Sequence, residues 1–162
     1  MRRVLPGILV LAIVALPGCP PPGPTVDQSQ THQVDELAIT WSKTGTYSEL
    51  HQPLRLVIRD PAALAAIPVA EVPVDFNEQM VLVAALGAVP TEGYAVRITR
   101  VWRDGRRVYV DVRVTHPQPG GTPPKHALCA PYHIVVVPRS DLNVEGFATQ
   151  LPSDPRGHNP YK

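Results

Sequence analysis

The sequence predicts a mainly β domain with one short helix, its antiparallel sheet folded as a small sandwich or an open barrel. Three observations carry this. Residues 107–116, RVYVDVRVTH, alternate with strict period two. Twenty prolines among 162 residues disfavour long helices. The apolar runs between turn signals have strand length, and hairpins with short loops favour antiparallel pairing. Only residues 60–68 offer a crossover helix, so a doubly wound parallel sheet is not expected.

In 107–116, Val108, Val110, Val112 and Val114 form one face, and Tyr109, Asp111, Arg113 and Thr115 the other. That is a half-buried strand. Before it, residues 94–102 place Tyr94, Val96 and Ile98 opposite Arg97 and Thr99. Arg103-Asp104-Gly105-Arg106 joins the two as a tight turn, because Asp-Gly tolerates positive φ. Residues 80–87, MVLVAALG, and 132–138, YHIVVVP, are apolar without alternation. Strands of that kind sit centrally, covered on both faces. Residues 54–60 are a further strand, and 37–41 a weaker one. Asp60 is an N-cap, Pro61 suits the first helical position, AALAAI follows, and Pro68 ends the helix. After Leu142, the residues left to pack are Val144, Phe147 and Leu151.

The N-terminus addresses the chain. Met1-Arg2-Arg3 is basic, and residues 4–16 are 13 uncharged residues, short of the roughly 20 that span a bilayer. A basic start, a short apolar core and a small residue before the break mark a secretory signal. Leu16-Pro17-Gly18-Cys19 resembles a bacterial lipobox, in which the cysteine becomes the lipidated mature N-terminus. Pro17 is an unusual occupant of its position. The organisation expected is a lipoprotein signal at 1–18, a lipidated Cys19 with a Pro-rich tether to residue 33, one domain at 34–151, and a loose tail at 152–162. Proline-rich tethers stay extended. The absence of an acidic residue after Cys19 leans towards the outer membrane, if the cell has one.

Without Arg2 and Arg3 the chain holds 13 basic and 14 acidic residues. Nothing in that balance points to nucleic acid. With Cys19 lipidated, Cys129 has no partner in the chain, so the domain rests on its apolar core.

Chemistry is sparse. His126, Cys129 and His133 have an H-x2-C-x3-H spacing that supplies three metal ligands at most, with no fourth nearby. Cys129 with a histidine is a conceivable nucleophilic pair, but a catalytic thiol needs an accessible, electropositive setting. A small buried Cys129 and a satisfied His133 are the expectation. Asp75 and Glu78 flank Phe76 as a pair of carboxylates, but Asp75 followed by Asn77 reads as turn chemistry leading into the strand at Met80. No G-x-S-x-G, H-E-x-x-H or phosphate loop occurs. No cofactor, metal site or enzymatic activity is therefore expected.

The most distinctive loop is LGAVPTEGYAVRI, residues 86–98, where Pro90, Thr91, Glu92 and Gly93 turn the chain into Tyr94. The run 73–101, the valine-rich strand 108–114, HPQPG at 116–120 and APYHIVVVPR at 130–139 together resemble the C-terminal domain of the PrcB-like family. The resemblance spans about residues 54–140. That family is named for a lipoprotein that accompanies and stabilises a surface protease complex. The resemblance implies a lipid-anchored, extracytoplasmic protein-binding module, an accessory of an envelope protease or other surface complex, and supplies no catalytic residues. Binding is expected at Pro90, Thr91, Glu92, Gly93 and Tyr94, and at Gly120 and Gly121 in the 119–122 loop. Tyr94 reads equally as an inward core residue in line with Val96 and Ile98. A smaller likeness joins VPTEGY at 89–94, PGGT at 119–122 and Pro138-Arg139 to the chagasin-type inhibitors of cysteine proteases. It departs at Val89 and in the order of Pro138-Arg139.

In a bacterial host the protein should take up a clickable fatty acid, and Cys19→Ala should abolish the label. Labelling that persists in the alanine variant rules the anchor out.

Overall fold

The computed structural model describes residues 34–69, 71–118 and 126–152. The chain divides into two compact units, 1–31 and 32–162, and every described residue lies in the second. The expected signal, Cys19 and tether lie outside the described residues, as do Gly120, Gly121 and the tail beyond residue 152.

The elements are β1 (Asp35–Glu36), β2 (Trp41–Gly45), β3 (Pro53–Ile58), α1 (Pro61–Ala65), β4 (Gln79–Leu86), β5 (Val89–Thr91), β6 (Ala95–Asp104), β7 (Arg107–Thr115), β8 (His126–Cys129), β9 (Tyr132–Pro138) and β10 (Asn143–Val144). Two four-stranded sheets face each other, ordered β1-β6-β7-β10 and β2-β9-β4-β3, beside a two-stranded ribbon of β5 and β8. The arrangement is sandwich-like and does not close into a barrel.

Strands β4 and β9 are the middle of the second sheet and pair antiparallel from Gln79↔Pro138 to Ala85↔Tyr132. Both are buried on both faces, as their unbroken apolar runs require. Met80, Leu82, Ala84, Val135 and Val137 pack towards the first sheet, against Val96, Ile98, Val101 and Val108. Val81, Val83, Ala85, Ile134 and Val136 pack the other way, beside Leu50, Ile67 and Val72. Ala63 and Leu64 of α1 lie against that second core. The helix is capped as expected: Asp60 accepts the Ala63 amide at 2.8 Å, and Pro61 occupies its first turn.

The first sheet is built on the β6–β7 hairpin. Its register runs from Ala95↔Thr115 to Asp104↔Arg107 and breaks at Thr99, an extra residue between Ile98↔Val112 and Arg100↔Asp111. This bulge changes the phase of β6: Val96 and Ile98 face inward before it, Val101 after it. Gly105 and Arg106 form the two-residue loop, with Gly105 at φ 57°, and no non-glycine residue among the described residues is at positive φ. A glycine first, alone at positive φ, matches the II′ hairpin pattern.

The weaker strand expected at 37–41 is corrected. Only Trp41 of that stretch is in a strand, as the start of β2; residues 37–40 cross from one sheet to the other, which no single ladder can hold. Leu37 N–H donates to Val101 O on the first sheet, and Thr40 N–H donates to Val136 O on the second. The far side is laced the same way. β10 pairs with β7, Ala148 bridges Leu56, and Phe147 is buried. Both of these contacts are parallel, which the sequence did not signal, because a two-residue strand leaves no periodicity. Arg59 supports this corner by donating to Ser140 O at 2.8 Å and Leu142 O at 2.7 Å.

His133 joins the sheets. It is 5 % exposed, on β9 among the residues facing the first sheet, and its Nδ1 accepts the Ile98 amide at 2.8 Å. Accepting at Nδ1 requires the neutral ring with its proton on Nε2. Burial first, and then the charge of Arg97, hold its pKa below the ordinary 6.5.

Two glycines at positive φ should separate strain from crowding. Gly105→Ala carries only the backbone cost, about 1–2 kcal/mol, since nothing lies within 4 Å of an added Cβ. Gly87→Ala adds a collision with the backbone of His51–Pro53 at 2.8–2.9 Å, so its denaturation midpoint should fall further. Gly105→Val should cost at least as much as Gly105→Ala. Equal midpoints for Gly87→Ala and Gly105→Ala would refute the distinction.

Because the unfolded chain protonates His133 near 6.5 and the fold resists it, stability should fall as pH drops below about 6.5, and be unaffected by this residue above it. His133→Asn, which keeps an acceptor for Ile98, should lose this part of the acid sensitivity. Parallel urea midpoints of parent and variant across that range test it, and a constant difference between them at all pH values would count against it.

Candidate protein-binding end of the sandwich

Strand β4 ends at Leu86, and Gly87, at φ 75°, swings the chain into β5. β5 pairs with β8 through Val89↔Cys129 and Thr91↔His126, with an irregularity between the two rungs. Pro90 and Thr91, expected in the turn, are strand residues of β5, because β8 pairs with that strand; the turn itself is Glu92–Gly93, carried at the end of this ribbon. Gly93 is at φ 94°, and a Cβ there would stand 3.3 Å from the Pro117 ring. Only a residue without a side chain fits that approach comfortably.

Tyr94 is half-buried and meets the His116 ring edge to face, at 5.5 Å and 76°. The ring thus packs against His116 and is not among the residues of the two apolar cores. His116 and Pro117 begin the connection that holds Gly120 and Gly121, and His126, paired with Thr91, ends it. Both ends of that connection are held against the Pro90–Tyr94 segment, although Gly120 and Gly121 lie outside the described residues.

Two exposed side chains that sequence reasoning missed stand at this end. Leu128, on β8, is 71 % exposed, and Tyr47, in the 46–50 segment, is 61 % exposed. That segment is tied to the ribbon: Ala130 N–H donates to Thr46 O at 2.9 Å, and Ser48 Oγ donates to Ala130 O at 2.9 Å. Cys129 first, and then Glu92, through charge and hydrogen bonding, raise the Tyr47 hydroxyl above its ordinary value of 10.0. Glu92 of the turn is thus a neighbour of Tyr47. Beside them lies a recess of about 430 Å³ lined by Tyr47, Ser48, Glu49, Pro68, Val69 and Tyr132. Nothing local in the sequence marks Tyr47 or Leu128. Each becomes visible only when β8 is placed beside β5.

The chemical candidates are dispersed. Cys129 is 2 % exposed, and its thiol donates to Ala127 O at 3.4 Å. The Nδ1 of His133 is taken by Ile98, on the core side of β9. Among the described residues no three of His, Cys, Asp and Glu stand together as metal ligands. Asp75 Oδ1 accepts the amide of Asn77 at 2.9 Å, the turn chemistry expected of it. Arg139, the third element of the chagasin likeness, donates to Phe76 O at 2.6 Å and Arg59 O at 3.1 Å, so its guanidinium supports the fold. Among the described residues no helix is long and apolar enough to cross a membrane.

No curated protein and no solved structure matches the chain. The family match is shorter than the expected 54–140: it begins inside β4, so β3 and α1 fall outside it. Residues 80–138, from β4 through β9, match the family model described as PrcB C-terminal, and this segment is the part of the chain that the family accounts for.

Proposed function

We propose that this domain binds another extracytoplasmic protein, as an accessory or stabilising partner of an envelope protease or another surface complex, and acts without catalysis or cofactor. The observation that carries the reading is the exposure of Tyr47 and Leu128 beside the Pro90–Tyr94 segment. Apolar and aromatic side chains held out on a rigid β scaffold are a recognition device. A tyrosine offers a large contact area with a polar tip, which suits a binding anchor. The PrcB C-terminal match supports the accessory role, because the family is named for a protease-associated lipoprotein. The burial of Cys129 speaks against a nucleophilic thiol.

The domain would work from the membrane. Lipidation at Cys19 and the tether up to residue 33 would hold it within reach of a partner while leaving it free to turn. The Arg139 contacts to Phe76 and Arg59 leave that side chain little freedom to reach a protease cleft, so inhibition is not the reading adopted here.

The mature protein used as bait on native cell envelope should retain a protein that Tyr47→Ala/Leu128→Ser bait fails to retain. A captured protease should remain active. Equal capture by both baits would remove this end of the molecule from the interface. A captured cysteine protease found silenced would restore the inhibitor reading.

A further inference from the structure

The outer face of the β1-β6-β7-β10 sheet carries a second pattern, made of cross-strand rungs. Its outward pairs are Ala95↔Thr115, Arg97↔Arg113, Arg100↔Asp111, Trp102↔Tyr109 and Asp104↔Arg107. Trp102 and Tyr109 stack at 5.6 Å and 19°, and the Arg100 guanidinium lies 5.2 Å from the Trp102 ring centre. Two of the four arginines on these rungs are paired. Arg100 meets Glu36 at 3.5 Å, and Arg107 meets Glu145 at 2.8 Å.

Arg97 and Arg113 are different. They oppose each other directly, both are exposed, and among the described residues neither forms an ion pair. Like charges directly opposite on a sheet destabilise it. Beside Arg113 a recess of about 300 Å³ opens at the bulge, lined by Thr99, Asp111, Val112 and Arg113. The face therefore has an end where two arginines stand opposed without an ion pair, with Asp111 beside Arg113 in the recess, and an aromatic end on the far side of the Arg100↔Asp111 rung.

We propose that this face docks an extended acidic segment of a partner protein, with carboxylates on Arg97 and Arg113 and an apolar side chain on Trp102 and Tyr109. The inference rests on the reading of the domain as a protein-binding module and adds a second surface and the chemistry of what it takes. Charge complementarity selects the occupant. A carboxylate accepts from two guanidinium forks at once and removes their repulsion. Arg113 and Tyr109 are four residues apart on β7, about 13 Å along the strand, which an extended peptide spans with the same spacing. Asp111, Glu36 and Glu145 on or beside this face repel a uniform polyanion, whereas a peptide can place its charges at one end only. Arginine, tryptophan and tyrosine are also the residues that dominate protein interfaces.

The test titrates the full-length protein into a fluorescent peptide carrying two adjacent glutamates and a leucine four residues on, read by anisotropy. Saturable binding that weakens with salt is expected, with none for the glutamine version of the peptide. Arg97→Gln/Arg113→Gln should weaken binding about tenfold or more, since charge-assisted contacts are lost. Its thermal midpoint should hold or rise, because a repulsion is removed. Arg113→Lys, which keeps the charge but loses the fork, should weaken binding less, and Trp102→Ala should weaken it with the salt dependence intact. Absence of saturable binding at millimolar peptide, or equal binding by the double variant, overturns the proposal. So does tighter, arginine-dependent binding to phosphatidylglycerol vesicles, which would assign the face to a lipid surface. Envelope capture by the Arg97→Gln/Arg113→Gln bait separates the two readings. If capture persists while peptide binding is absent, only this face is refuted. If the parent bait captures nothing while the peptide binds, the module reading fails at the Tyr47 and Leu128 end alone.

Discussion

The structure depends on burying both faces of one strand pair, β4 with β9. Two adjacent strands with no polar face require a layer on each side. One layer is the β6–β7 hairpin, whose alternating valines present a single apolar face. The other is thinner: α1, Leu50, Ile67, Val69, Val72, Val74 and Phe76 cover the opposite side. With these layers in place, the remaining strands take edge positions. β2 and β3 flank the central pair, while β1 and β10 flank the hairpin. Each terminal segment runs from an edge of one sheet to an edge of the other, so both open sides of the sandwich are tied by backbone hydrogen bonds. Ties of this kind occupy edge groups that would otherwise be open to another chain.

The polar exception in this core explains its geometry. A buried imidazole needs a partner, and His133 finds one in the amide of Ile98, next to the bulge at Thr99. The Ile98 amide is turned away from β7 and towards the other sheet, at a place where β1 no longer covers β6. Bulge, histidine and short β1 thus form one arrangement. The same bulge lets Val101 follow Ile98 into the core and places Arg100 on the outside, over Trp102.

The candidate binding end follows from the way β4 stops. Gly87 can adopt a backbone conformation that crowds the 51–53 backbone, and this sends β5 away from the central sheet. β8 then pairs with β5, and the chain between β7 and β8 must begin and end beside the Pro90–Tyr94 segment. Cys129 is buried at the base of this ribbon while its neighbour Leu128 points to solvent, the usual alternation of a strand. The thiol is thereby packed inside while the leucine is left exposed.

The sequence by itself determined the strands whose residues repeat a pattern over seven or more positions, the capped helix, the glycine turn, and the double burial of 80–87 and 132–138. In each, the physical cause is local: side-chain alternation, an N-cap, a φ that favours glycine. It also marked the Glu92–Gly93 turn, though not that Pro90 and Thr91 are strand, and joined residues 80–138 to a family. Only the tertiary structure decided the rest. The strands β1, β5, β8 and β10 have two to four residues, too few to carry a period, and exist because a neighbour offers an unpaired edge. The phase change in β6 is set by pairing with β7, and 37–40 is a crossing because its two ends bond to different sheets. Tyr47, Leu128 and the opposed Arg97 and Arg113 gain their meaning from residues far away in the chain, which no local reading of composition or spacing brings together.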